Sequence, residues 1–407
     1  MALGRWIELT TEGMQRLGHV KALISISSPA RLTNFQALNA ELSRLVRTMV
    51  PIGEPTEAVQ KYFGTRKKPR GKDGKVEIQD AFLSMINIPS QTGSLTNKAF
   101  EDGHIVNLAV ALGLLRAKNF SLTPLGRILQ HIMGEKEAAA FKSYSPESNP
   151  YVLKPAEKVF FLYCFISSDG DVIKRLYRKL LEVEGEFNRA EAGNRLAEVF
   201  REMASDFKSK ARSLEDFATI RKWHEYAHTI QNQPLTSHSG VREQRVTLRL
   251  EALVDLSLLL KDEPSRYTYR FTPAAKCLAQ RLRDSGETET FLREFYFQFV
   301  NECWEFGATK AEEVDEIITL AMPAYLRLKS DLGYAPLLEM LLLANIGALG
   351  ESPRRYFELG SGMQAVRAFQ REHPDDVRFN VDRRGEIRYV KFRQESPQIR
   401  AGRDSPH

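Results

Sequence analysis

Apolar residues recur at i, i+3 and i+4 through most of this chain, and strictly alternating stretches are few and short. That pattern predicts a mainly α protein carrying short β-hairpins. Two stretches follow one plan: residues 105–132, IVNLAVALGLLRAKNFSLTPLGRILQHI, and residues 248–282, LRLEALVDLSLLLKDEPSRYTYRFTPAAKCLAQRL. Each opens with an apolar-periodic helix (Val106 to Leu112; Leu250 to Leu256) and continues into a short apolar strand (Gly113 to Arg116; Leu258 to Lys261). A polar turn and a second strand follow, FSL in one and YTYRF in the other. Each ends in Thr-Pro, at Thr123-Pro124 and Thr272-Pro273. A threonine hydroxyl caps a helix, and proline suits the first helical position, where no amide donor is needed. The pair therefore predicts the same junction twice, an internal repeat.

Helix, hairpin and capped helix is how a winged-helix unit closes, and a third such unit is expected at 334–393. There APLLEMLLLANIGALG predicts a buried helix, SPRRYFELG a short second helix ending at Gly360, and SGMQAVRAFQREHP a third, stopped by Pro374. VRFNVDRRGEIRYVKFR then alternates and turns at Asp382-Arg383-Arg384-Gly385, with glycine where a left-handed turn position needs it. The expected layout is tandem winged-helix-type units joined by helical connectors. A unit at 1–145 carries a basic loop at 61–75. Residues 146–285 hold a connector and the second unit, 286–395 a connector and the C-terminal unit, and 396–407 a disordered tail. The connectors read as helices over 151–166, 171–210 and most of 286–331. A further helix from Ser213 to about Gln231 is announced by the capping-box-like Ser213-Leu214-Glu215-Asp216.

Composition adds little until charge is placed along the chain. The 407 residues are 43% hydrophobic and 27% charged, ordinary for a globular protein. No apolar run is long enough to span a bilayer, and no signal-peptide pattern opens the chain, so a cytoplasmic protein without a membrane partner is expected. Cys164, Cys277 and Cys303 are scattered, which suits reduced thiols. The net charge of +6 is concentrated. Segment 61–75 holds seven Lys/Arg against one Asp, and 352–407 holds twelve against eight Asp/Glu. Two basic regions on a neutral body suit a partner with a phosphate backbone. Arg66, Lys67, Lys68, Arg70, Lys72 and Lys75 are candidate phosphate contacts. In the third unit, Gln364, Arg367, Gln370 and Arg371 fall on the outer face of the presumed recognition helix, where Gln can bond adenine and Arg guanine. Arg383, Arg384, Arg388 and Lys391 belong to the wing, over phosphates or a minor groove.

One motif points elsewhere. His224-Glu225-Tyr226-Ala227-His228 matches the H-E-x-x-H of zinc proteases, and i, i+4 spacing puts both imidazoles on one helix face. Against zinc, Lys222 stands where that consensus favours an uncharged residue, and no metzincin continuation follows. Glu243 and Glu251 are the available third ligands. Helical phasing instead groups Leu214, Phe217, Ile220, His224, Ala227 and Gln231 on one face, with His224 a semi-buried core histidine and His228 at its edge. No metal and no cofactor are expected, His224 and His228 being the only metal candidates. GTRKKPRGK at 64–72 lacks the glycine spacing and the Ser/Thr of a phosphate-binding loop.

Residues 80–132, DAFLSMINIPSQTGSLTNKAFEDGHIVNLAVALGLLRAKNFSLTPLGRILQHI, resemble the first subdomain of the DNA-recognition part of FokI-like type IIS restriction enzymes. The shared order is helix, polar loop, helix, an LG-[FL]-[IL] turn, hairpin, and a [ST]-x-x-G helix start. The resemblance implies successive winged-helix subdomains that bind duplex DNA. In that family a metal-dependent nuclease follows. Here the nearest acid pattern, Asp375 with Glu386-Ile387-Arg388, ends in arginine and overlaps the wing. The expectation is a recognition or scaffold subunit of a prokaryotic restriction or defence complex, without catalytic activity of its own. It would act on double-stranded DNA with a separate nuclease, helicase or other catalytic protein. The alternatives are a protein–protein adaptor built of winged helices and a zinc hydrolase.

Overall fold

The computed structural model describes residues 4–7, 17–27, 37–38, 41, 104–141, 149–183, 185–232, 241–261 and 268–393. The chain is mainly helical, with short strands in small sheets. It divides into two compact units, Met1–Ala279 and Gln280–His407. Among the described residues no helix is long and apolar enough to cross a membrane.

The first unit contains α1 (Leu17–Ile26), α2 (His104–Ala111), α3 (Pro124–Ala140), α4 (Pro155–Leu181), β1 (Glu186–Asn188), α5 (Arg189–Lys208), α6 (Leu214–Gln231), α7 (Val241–Asp255), β2 (Leu259–Lys261) and β3 (Thr268–Phe271). From Pro273 the chain enters α8 (Pro273–Asp284). The expected helix over 171–210 is interrupted, because residues 186–188 leave it as β1 to pair with β3. That edge needs Phe187, which stacks on Tyr269 with ring centroids 5.9 Å apart. The sheet order is β1-β3-β2, antiparallel throughout.

The repeated junction is present in both places, down to single hydrogen bonds. Thr123 caps α3, its hydroxyl accepting from Gly126 N, with Pro124 opening the helix. Thr272 does the same for α8, accepting from Ala275 N ahead of Pro273. Each hydroxyl also donates back to the start of the preceding strand: Thr123 to the carbonyls of Gly113 and Leu114, Thr272 to those of Ser257 and Leu258. Gly113 and Ser257 occupy matching turn positions, with φ of 72° and 58°. The third residue after each cap, Gly126 or Ala275, is buried. At Gly126 the fit is so close that a Cβ would lie 2.3 Å from the Leu114 carbonyl oxygen.

The second unit contains α9 (Thr288–Glu294), α10 (Tyr296–Cys303), β4 (Thr309–Lys310), α11 (Val314–Leu328), β5 (Ala335–Pro336), α12 (Leu337–Gly350), β6 (Arg355–Tyr356), α13 (Leu359–Glu372), β7 (Val377–Val381) and β8 (Ile387–Phe392). Residues 352–360, expected as a short helix, instead bend at 352–353, pair as β6 in parallel with β4, and enter α13 at Leu359. The physical reason lies at Phe357, whose amide donates to buried Asn345 of α12 at 2.8 Å, which holds the backbone straight. The three helices before the hairpin are thus α11, α12 and α13. α12 is buried on nearly every side, in keeping with its all-round apolar sequence. The three-stranded sheet runs β5-β8-β7, so the element order is helix, strand, helix, helix, strand, strand, with the last strand in the middle.

The turn between β7 and β8 forms as its residues predict. Gly385 takes φ 78° and donates its amide to the Asp382 carbonyl, and Asp382 N donates to the Glu386 carbonyl. The Asp382 carboxylate accepts from the amides of Arg384 and Glu386 and from Arg388. The Arg384 amide in particular holds it below the usual carboxylate range.

Candidate nucleic-acid interface

α13 is amphipathic, and its buried side is Leu359, Gly360, Gly362, Ala365, Val366 and Phe369. Glycine is needed at two of these positions. A Cβ on Gly362 would stand 2.7 Å from the Phe357 ring, and one on Gly360 would meet the Glu294 carboxylate. Phe369 faces Phe392 of β8 at 6.3 Å, which seats the helix on the inner side of the hairpin. The opposite face presents Gln364, Arg367 and Arg371, all exposed, while Gln370 is half-buried at its margin. Positions 364, 367 and 371 rise one above another over about 10 Å of helix, the rise of roughly three base pairs.

The hairpin supplies the second group. Arg383 and Arg384 are exposed at its tip. Along the strands, alternation puts Val377, Phe379, Val390 and Phe392 toward the core and Arg378 and Lys391 outward, directly opposite each other. Two like charges in a cross-strand pair destabilise a bare sheet. Lys391 relieves this by donating to the Leu332 carbonyl at 2.9 Å and lying over the Tyr334 ring. Arg388, at the bulge between the paired positions 387 and 389, is bound to Asp382 and Glu386. Among the described residues no carboxylate pairs with Arg367, Arg371, Arg378, Arg383 or Arg384.

The expected site residues therefore separate. Gln364, Arg367, Arg371, Arg383 and Arg384 are available. Arg388 is spent within the hairpin turn and Lys391 on Leu332 and Tyr334, and Gln370 is partly covered. Arg378 was not expected; it sits between Val377 and Phe379, and only its pairing opposite Lys391 marks it out. Asp375 is exposed beyond the end of α13, whereas Glu386 is tied to Arg388 in the turn. Arg66, Lys67, Lys68, Arg70, Lys72 and Lys75 lie outside the described residues, as do residues 80–103 and the tail from 394.

The helix that leads into the other hairpin, α7, is enclosed. Every residue from Val246 to Leu253 is buried, including Arg249 and Glu251. Arg249 pairs with Asp169 of α4 at 2.6 Å and donates to the Ile7 carbonyl. Glu251 accepts from Arg189, Lys261 and Tyr269. This removes Glu251 as a third zinc ligand, and the Glu243 side chain lies outside the described residues. The H-E-x-x-H segment, on α6, is placed differently from its expected phasing. Ile220, Trp223, Tyr226, Ala227 and Ile230 are buried, and Leu214, Phe217, His224 and His228 are exposed. Aromatic packing decides this, because Trp6 meets both Trp223 and Tyr226 edge to face and Phe200 stacks on Tyr226. Ser213 does cap α6 in a capping box with Asp216. Among the described residues no group of three or more His, Cys, Asp or Glu could hold a metal. Compared with known proteins, the chain matches no family model, no curated protein and no solved structure.

Proposed function

We propose that this chain binds duplex DNA through α13 and the β7–β8 hairpin, as the recognition or scaffold subunit of a prokaryotic restriction or defence complex whose catalysis lies on another protein. The observation that carries the reading is the set of exposed arginines that have no acidic partner among the described residues, Arg367 and Arg371 on a helix face and Arg383 and Arg384 at a hairpin tip. Support comes from the succession α11, β5, α12, α13, β7, β8, which, apart from the separate β4–β6 pair, suits a winged helix, in which the helix before the hairpin enters the major groove and the hairpin tip lies along the backbone. Arg367 would take a guanine edge, Gln364 an adenine edge, and the tip arginines phosphates. The chemistry asked of the chain is positioning and charge, with no bond made or broken.

A salt titration of duplex binding tests this. With Arg371 and Arg378 also on phosphates beside the two tip arginines, about four contacts give a log–log slope near −4, and Arg383→Ala with Arg384→Ala reduces it by about 2. Absence of binding to any duplex at low salt and micromolar protein would remove the reading. The adaptor alternative has one observation in its favour: Leu332, Val381 and Tyr389 are exposed large apolar side chains on and beside the hairpin. It predicts that Val381→Asp abolishes capture of a protein partner and leaves duplex affinity unchanged.

A further inference from the structure

The H-E-x-x-H segment, left over by the DNA reading, lines a depression of about 500 Å³ on the first unit. Its walls are Arg201 of α5 and His224, Glu225, His228 and Thr229 of α6, over the buried Ala227. The volume falls in the range of small-molecule sites. α5 and α6 lie side by side through Phe200 and Tyr226, and that packing brings Arg201 to the histidine face.

The charges favour an anion over a metal. Arg201 is exposed, and among the described residues no carboxylate pairs with it. The acids near it on α5 are already occupied: Glu198 by Lys179 and Arg195, Glu202 by Lys179 and Arg178. Glu225 is offset by Arg221 at 3.5 Å. A dication between two imidazoles would face the Arg201 guanidinium, and the one carboxylate in the wall, Glu225, already pairs with Arg221. His228 is also committed at one nitrogen. Asn232 Nδ2 lies 2.6 Å from its Nε2, so that ring nitrogen is engaged by the amide side chain. That occupies one of its two possible metal-binding nitrogens and leaves Nδ1 as the other. The Thr229 hydroxyl donates to the Glu225 carbonyl, so it adds no donor of its own.

We propose that Arg201, His224 and His228 form a binding site for the phosphoryl group of a small molecule, held by the guanidinium and two imidazole N–H donors. The fork of arginine matches phosphate oxygens, and imidazoles supply further N–H bonds from the facing helix. The site is independent of the duplex interface and of the reading built on it.

The test uses the full chain with isotopically labelled histidine and inorganic phosphate as the probe, with ring signals assigned through His224→Asn and His228→Asn. Both ring signals are expected to move saturably, with a dissociation constant on the order of 1 mM. Chloride at matched ionic strength should leave them still. Arg201→Ala should weaken phosphate about tenfold, the effect of losing a charge-assisted hydrogen bond, with an unchanged thermal unfolding curve. All three side chains are exposed, so the fold is not at risk. Ring signals that ignore phosphate, follow chloride equally, or respond alike in Arg201→Ala overturn the site. So does one equivalent of zinc that survives dialysis and is lost in His224→Asn, which would make the pair metal ligands.

Discussion

Two helices here hold the same place in chain order, each leading into an antiparallel hairpin, and they end in opposite surroundings. α7 carries Arg249 and Glu251 into the interior, where Asp169, Arg189, Lys261, Tyr269 and the Ile7 carbonyl answer every charge. α13 buries only alanine, valine, leucine, glycine and phenylalanine and leaves Arg367 and Arg371 in solvent, with no acidic partner among the described residues. The difference comes from what surrounds each helix. The N-terminal residues 4–7 lie against α4, with Arg5 N donating to Asp171 and Ile7 N to Asp169, and the neighbouring Trp6 packs against α6. In the first unit the position that could read a groove has become scaffold. In the second it stays exposed, as the proposed duplex interface requires.

The comparison can be broken most forcefully at Asp169. Removing one partner of a buried ion pair strands the other, so Asp169→Ala should cost the first unit about 3–5 kcal/mol in chemical denaturation. Arg367→Ala should leave stability unchanged. A small loss at Asp169 would mean that α7 is not locked by its charges.

A second contrast concerns buried acids. In the first unit Asp169 and Glu251 touch cations, whereas Glu358, at the start of α13, accepts, among the described residues, only from the amides of Phe297 and Gln298. Burial raises Glu358 to about 7, with Glu294 adding to the rise, against the pull of those amides and Lys310. A carboxyl with a folded pKa above its unfolded value binds its proton more tightly in the fold. Its contribution is complete below about 4.5 and is lost as pH rises through about 7. At 1.36 kcal/mol per unit, the second unit should lose up to about 3 kcal/mol across that interval. Glu358→Gln should flatten the profile, and an unchanged profile would show that Glu358 does not govern it.

On the binding side, Arg367→Ala should weaken a duplex by about 1–3 kcal/mol and relax preference at one base pair. Equal weakening across all sequences would move Arg367 from base to backbone.

How much of this was readable beforehand depended on the range of the interactions. The Thr123 and Thr272 caps, the Ser213 capping box and the Asp382–Gly385 turn use partners within a few residues, and all were legible. The face of α13 was legible because its polar residues recur once per turn. β1 and β6 were not, since strands of three and two residues exist only through partners far along the chain. Nor was the burial of α7. Arg249 reads as a surface residue until Asp169, eighty positions away, is beside it. His224 was misplaced because Trp223 and Tyr226, with their larger apolar area, took the core.

The most direct measurement is duplex affinity of the full chain at a series of salt concentrations, with substitutions on both helix–hairpin elements. Arg367→Ala with Arg371→Ala should fall about a hundredfold, the sum of two such contacts. Arg270→Ala, on the hairpin that follows α7 and already paired with Glu186, should bind as the parent does. Equal losses in both, or a parent that binds no duplex even at low salt, would contradict the assignment of the interface to α13.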